Sequence, residues 1–278
     1  MTDAAMRWFP APAKLNLFLH VLGRRADGYH ELQTVFRLID RCDRVGVALR
    51  ADGEIRFAGD YGEENLCVRA ARLLKARTGA VLGADLALEK RLPVGGGLGG
   101  GSSDAATVLL ALNRLWGCGL SRAALAALAA ELGADVPVFV FGRNALGEGR
   151  GERLTALELP PAWYLVLVPQ VSVSTAEIFA DPALTRDTKR LTIPPFSPGQ
   201  GRNDLEAVVA RRHPEVAAAL SWLRDRAAGA RMTGSGGCVF AEFASGAQAR
   251  ALAAQLPARM RGFVARGLDR HPLYDWAE

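Results

Sequence analysis

Apolar and polar residues alternate through the opening of the chain. Over 13–22, Ala13, Leu15, Leu17, Leu19 and Val21 fall on one face of a strand and Lys14, Asn16, Phe18 and His20 on the other. Lys14 and Asn16 therefore point the same way. An Asp-Gly turn within 23–30 leads to a second strand near 31–38, and Ala51-Asp52-Gly53 predicts a hairpin between strands near 45–50 and 54–57. The period then lengthens. Asn65 is placed to cap a helix reaching 75, and 85–90 reads as a strand. Ala105, Val108, Leu109, Leu112 and Trp116 share one helical face, ended by Gly117; Ser121 caps a further helix closing at Gly133. Ala134-Asp135-Val136-Pro137 sets a carboxylate just past that helix, with Pro137 biasing Val136 away from helical geometry before the apolar run 138–141. Residues 147–151 read as a loop.

The second half alternates helices, at 175–180, 203–211, 215–228 and 247–256, with strands at 163–168, 238–243 and 262–268. Residues 182–201, rich in Pro, Thr and Arg, read as an exposed connection. The expectation is an α/β (α+β) chain of two domains, 1–155 and 156–278, which its 278 residues suffice to build.

Lys plus Arg outnumber Asp plus Glu by 34 − 29 = 5, a balance that suits anionic ligands. There is no long run of like charges and aromatics are only 7%, so neither a nucleic-acid arm nor a base-stacking platform is indicated. Cys42, Cys67, Cys118 and Cys238 match no zinc or redox spacing and read as reduced thiols. With no signal-peptide pattern and no apolar stretch long enough to span a bilayer, a cytoplasmic protein without a membrane partner is expected.

The most informative segment is Pro93-Val94-Gly95-Gly96-Gly97-Leu98-Gly99-Gly100-Gly101-Ser102-Ser103-Asp104, which joins a strand to a helix. Its glycines let the backbone come close to an anion and aim several N–H groups at it, and the following helix adds its positive end. Gly95, Gly97 and Gly100 satisfy a lax dinucleotide pattern, but the acidic residue ending a second strand is missing. Gly96 to Gly101 nearly forms a Walker A loop, but Ser102 stands where the lysine is needed. A flexible linker would not be pinned between strand and helix.

Several segments together resemble the superfamily of galactokinase, homoserine kinase, mevalonate kinase and phosphomevalonate kinase (the GHMP kinases), which hold ATP on a glycine-serine loop. The segments are Pro12-Ala13-Lys14-Leu15-Asn16-Leu17, Arg25-Ala26-Asp27-Gly28-Tyr29-His30, the stretch 92–106, Leu132-Gly133-Ala134-Asp135-Val136-Pro137 and 233–240. Their order and spacing are similar to the branch of kinases acting on 4-diphosphocytidyl-2-C-methyl-D-erythritol. The resemblance implies two α/β domains with the cleft between them, the first like the second domain of ribosomal protein S5. It implies phosphorylation of the 2-hydroxyl of a cytidyl diphosphate sugar alcohol by ATP with Mg2+, in the non-mevalonate route to isoprenoid precursors. Another superfamily kinase, of homoserine or mevalonate type, and a non-catalytic nucleotide-binding module remain alternatives.

Under that resemblance Asp135 is the candidate general base, and Lys14, a cation in an apolar strand that needs a partner, is expected to pair with it. Residues 93–103 would hold ATP, bordered by Asn65 and Lys90, with Ser103 the candidate metal ligand. Asn16 would bond the acceptor hydroxyls or the cytosine. Tyr29 would stack on the cytosine, His30 would bond its edge, and Phe179, beside Thr175, would supply the opposite wall. Gly234 and Gly236, in the second glycine turn, would line the substrate phosphates. His20, His213 and His271 are unassigned.

Overall fold

A long antiparallel ladder, β1 (Arg7–Arg24) against β2 (His30–Arg50), forms the spine of the molecule in a computed structural model that describes residues 5–59, 65–193, 196–197 and 199–277. Next in order come β3 (Ile55–Ala58), α1 (Leu66–Thr78), β4 (Gly83–Glu89), α2 (Gly100–Leu115), α3 (Arg122–Leu132), α4 (Val136–Phe141), β5 (Ala145–Gly149) and β6 (Arg153–Ala156). The remainder is β7 (Trp163–Leu167), α5 (Thr175–Ala180), α6 (Glu206–Arg212), α7 (Pro214–Arg224), β8 (Arg231–Met232), β9 (Val239–Phe243), α8 (Gly246–Ala253), β10 (Gly262–Leu268) and a closing turn at Tyr274–Trp276.

β2 carries β1 along one edge and β5, β10 and β4 in succession along the other. Through β10 the sheet continues into β7, β9 and β8. Three cores follow from this layout. α1 to α4 cover one face with Leu74, Leu109, Leu125 and Phe139 against Leu38, Val47 and Leu86. α5 to α8 cover the other end, with Ile178, Val209, Leu220 and Leu252 on Leu165 and Val239. Between them the middle of β1 (Ala13, Leu15, Leu17) packs on Leu92 and Leu98 of the glycine segment and on Phe240 of β9. Burying Leu98 contributes about 2 kcal/mol and fixes the centre of that segment.

The structure departs from the pattern-based expectations at five places. Alternation along β1 does not give one continuous apolar face: a bulge between Asn16 and Leu19 shifts the register, so Leu15 and Leu17 enter one core and Leu19 and Val21 another. The turn at Ala51-Asp52-Gly53 does not close a hairpin, because β4 lies between β2 and β3 and pairs with β3 in parallel. Val136 is helical, since Pro137 occupies the first turn of α4, where its missing N–H costs nothing. Residues 147–151 belong largely to the β5–β6 hairpin rather than a loop. The connection at 182–201 is not simply exposed. Both polar atoms of the Gln33 side chain bond the backbone of Leu191, at 2.8 and 3.0 Å, and Phe196 stacks on Phe18 at 6.0 Å. Residues 194, 195 and 198 of that connection lie outside the described residues.

Candidate active site

Lys14 is 2% exposed, and a buried ammonium needs partners for its three N–H groups. It finds them in Asn16 Oδ1 at 2.6 Å, the Gly97 carbonyl at 2.9 Å and Asp135 Oδ2 at 3.3 Å. Two of these are brought from far along the chain, Gly97 by the glycine segment and Asp135 by the α3–α4 junction. Asp135 occupies the N-cap position of α4, but its side chain makes no capping bond, and at 40% exposure it faces open space as well as Lys14. Asn16 is committed to the same network. Its Oδ1 accepts from Lys14 and its Nδ2 donates to Thr34 Oγ1 at 2.8 Å, while the Thr34 hydroxyl donates to the Phe18 carbonyl.

The glycine segment arches from the end of β4 into α2. Gly99 caps α2 in the left-handed region at φ 71°, and Leu98 accepts the Lys14 amide at 3.0 Å. The first-turn amides of α2, having no intrahelical partner, are left for an anion. Gly97, at φ 77°, has a second reason to be glycine: its Cβ would sit 2.1 Å from the Thr233 carbonyl oxygen. Likewise a Cβ on Gly236 would lie 2.2 Å from the Gly97 nitrogen. At these positions the close approach is between the two glycine turns themselves, a packing role that the sequence reading had given to a ligand. Thr233 Oγ1 accepts the Asn16 amide at 2.8 Å, and Asn203 Nδ2 donates to the Met232 and Gly234 carbonyls, which completes the interlock. Ser235 faces the cleft from this turn, with Gly234 and Gly236 packed behind it.

Three cavities adjoin. The first, of about 520 Å³, is lined by the segment from Pro93 to Ser102 together with Asn65, Lys90, Asp104 and Asp135. The second, about 290 Å³, has Lys14, Asn16, Thr34, Ser102 and Asp135 in its wall. The third, about 540 Å³, is walled by Tyr29, His30, Arg150, Thr175 and Phe179. Asp135 and Ser102 are shared by the first and second, and Arg150 and Phe179 by the second and third. Thr175 borders all three, its hydroxyl 2.5 Å from that of Ser235.

Within the first cavity, Asn65 caps α1 by accepting the Cys67 amide at 2.8 Å, so its carbonyl oxygen is already engaged. The Lys90 ammonium is held by Asp43 and Asp104. Burial works against its charge, but the two carboxylates outweigh that and its pKa is raised. Burial pushes Asp104 up to about 7, against the pull of Lys90. Ser103 does not join the cleft: it is fully buried on α2 and its hydroxyl has no hydrogen-bond partner. It does not fit the role of metal ligand, and among the described residues no cluster of three or more His, Cys, Asp or Glu could hold a metal ion.

In the third cavity Phe179 stacks directly on His30, with ring centres 5.0 Å apart. Tyr29 is 52% exposed and lies under the Arg150 guanidinium, 3.8 Å from its ring centre. Burial, then the charges of Arg186 and Arg24, hold the His30 pKa below its usual value. Arg186 Nε donates to His30 Nε2 at 3.1 Å, which leaves the proton of the neutral ring on Nδ1. Sequence reasoning missed Thr34, Asp43, Asp104, Arg150, Arg186, Thr233 and Ser235. Asp104, Thr233 and Ser235 lay inside quoted glycine segments; the others carried no signal.

Two family models match the chain, the GHMP kinases N terminal domain over residues 65–143 and the GHMP kinases C terminal over 196–262. A 4-diphosphocytidyl-2-C-methyl-D-erythritol kinase of Nitrosospira multiformis is 61% identical over 97% of this chain and 94% of its own. One from Thiobacillus denitrificans is 62% identical over 96% of this chain and 98% of its own. A crystal structure of 4-(cytidine 5'-diphospho)-2C-methyl-D-erythritol kinase superposes with a TM-score of 0.83 at 39% identity, covering 94% of this chain and 99% of that one. A mevalonate kinase crystal structure, at TM-score 0.68 and 15% identity over 95% of this chain and 100% of that one, shares the fold. Nearly full-length identity at this level, on a GHMP kinase fold, makes the chain a member of the 4-diphosphocytidyl-2-C-methyl-D-erythritol kinase family.

Proposed function

We infer that the protein transfers the γ-phosphoryl group of ATP to the 2-hydroxyl of 4-diphosphocytidyl-2-C-methyl-D-erythritol, giving the 2-phosphate and ADP, a step of isoprenoid precursor synthesis. The observation that carries this reading is the Lys14–Asp135 pair at the junction of the nucleotide-sized and acceptor cavities. Family membership supplies the substrate class.

Phosphoryl transfer asks the protein for position and charge more than for covalent chemistry. ATP lies along 93–102, its phosphates on the first-turn amides of α2. The acceptor hydroxyl lies beside Asp135, which takes its proton as the oxygen bonds to the γ-phosphorus and the bond to ADP breaks. Lys14 orients the carboxylate and sets a positive charge beside the group in transit. Asn16, itself held by Thr34, holds Lys14. The cytidyl group occupies the third cavity, where Tyr29 offers a stacking face and His30 an Nδ1–H for the pyrimidine edge. Mg2+ is expected to travel with the nucleotide phosphates; Ser103 does not fit as its ligand, and no step is assigned to it. The boundary between a nucleotide-binding half, 1–155, and a second half, 156–278, belongs to this reading, supported by the passage from β6 to β7. So does a cytoplasmic setting, supported by the free thiols of Cys42, Cys67, Cys118 and Cys238.

An ADP-release assay over a substrate panel tests the reading. The cytidyl diphosphate substrate is expected to be turned over, and mevalonate, homoserine and unsubstituted erythritol phosphate to be poor acceptors. Preference for any of the latter would reassign the substrate.

A further inference from the structure

We infer that Asp43 is the positioning residue that sets the shape of the nucleotide loop, holding its entry and its exit with one carboxylate. The inference rests on the reading of the first cavity as the nucleotide site. Asp43 is fully buried on β2, opposite Ala11 in the ladder, and it acts through groups that line the cavity.

Its Oδ1 accepts two main-chain amides, Arg91 at 2.5 Å and Leu92 at 2.7 Å. β4 ends at Glu89, so these amides lie beyond the sheet's regular pairing and immediately before Pro93, where the loop begins. The other oxygen accepts the Lys90 ammonium, which also donates to Asp104 Oδ2 at 2.9 Å on α2, beyond the loop's far end. The start of α2 rests on this clamp: a Cβ on Gly100 would lie 3.2 Å from Lys90 Nζ, 3.3 Å from Asp43 Oδ2 and 3.4 Å from Leu92 Cβ. These three donors divide between the two oxygens of the side chain, the amides at one and the ammonium at the other. An asparagine keeps one acceptor for the amides but turns an NH2 toward Lys90, so Lys90 keeps only Asp104 and the tie between the loop's two ends is lost.

The test compares wild type with Asp43→Asn. ADP affinity is measured by calorimetry, steady-state constants are measured for ATP and for the cytidyl substrate, and amide exchange is followed over residues 88–101 of the wild type. Wild type is expected to bind ADP, and the variant to bind ADP about tenfold more weakly with a KM for ATP about tenfold higher. Its kcat and its KM for the cytidyl substrate should stay within about twofold, a split that a general loss of folding would not give. Unchanged ADP affinity in the variant overturns the inference, as does a fall in kcat with KM for ATP unmoved. Wild type that binds no ADP overturns instead the reading of the cavity on which the inference stands. Exchange needs no variant: slow exchange at Arg91 and Leu92 without nucleotide supports the clamp, and exchange as fast as an open loop overturns it.

Discussion

Lys14 and His30 belong to the same β1–β2 ladder, yet their surroundings are built differently. Lys14 lies in its middle, opposite Leu38, and beyond its local bond to Asn16 the contacts around it reach across the chain: to Gly97, to Asp135 and, through the Asn16 amide, to Thr233. His30 lies at its tip, opposite Arg24, next to a loop held mostly by neighbours. There Arg25 bonds Asp27 and Glu31, the Tyr29 amide bonds Asp27, and the Arg150 guanidinium lies over the Tyr29 ring. The middle is locked by long-range packing, as a phosphoryl-transfer site should be, since misplacement by an ångström is costly there. At the tip His30 is tied to Arg186 and Phe179, but the adjoining loop of Arg25 to Tyr29 is held largely by local, solvent-exposed contacts of little energy, which lets it adjust around a ligand. Under the proposed function, chemistry and recognition are thus divided between the buried middle and the more exposed tip of one ladder.

The most damaging way to break this division is at the interlock. Gly97→Ala places a side chain at a positive φ and against the Thr233 carbonyl, and its cost should be about 3 kcal/mol or more of stability, read by thermal and denaturant unfolding. An equally stable variant would show that the two glycine turns are not locked together. Next is Lys14→Met, which keeps the stem and removes the charge; single-turnover rates should fall roughly a hundredfold or more, with both KM values within a few-fold. If binding weakened and the rate held, Lys14 would belong to recognition, and the comparison would collapse. The smallest effect is expected at the tip. Tyr29→Ala should raise KM for the cytidyl substrate roughly tenfold through lost stacking, with kcat nearly unchanged, and an unchanged KM would remove Tyr29 from cytosine recognition.

How legible each part was in the sequence follows the same division. The strand carrying Lys14 and Asn16, the Asn65 and Ser121 caps and the α2 face from Ala105 to Leu112 were local patterns, and local rules recovered them. The glycine segment could be placed between strand and helix, but not its partner. That Gly97 makes room for Thr233 depends on a contact across more than a hundred residues, to which no periodicity points. The false hairpin at Ala51-Asp52-Gly53 failed for the same reason, because β4 enters from later in the chain and takes the neighbouring place. Asn16 was read as reaching for substrate, whereas burial of Lys14 engages its carbonyl oxygen inside the protein. Asp43 left no trace in the pattern, since a single acidic residue in a strand looks like any solvent-facing one. Phe179 was expected to face Tyr29 across the cytosine; its ring meets His30, a contact fixed by α5 and by the Arg186 bonds to Phe179, Asp181 and Leu184, which no local pattern announces.

The proposed mechanism has Asp135 take the acceptor's proton while Lys14 holds it in place. Asp135→Asn keeps the size and position of the side chain and removes its basicity, so single-turnover phosphoryl transfer and ATP affinity should be measured together on this variant and on wild type. A loss of rate of about a hundredfold to ten-thousandfold with ATP affinity within a few-fold is the predicted result; equal transfer rates in the two proteins would contradict it.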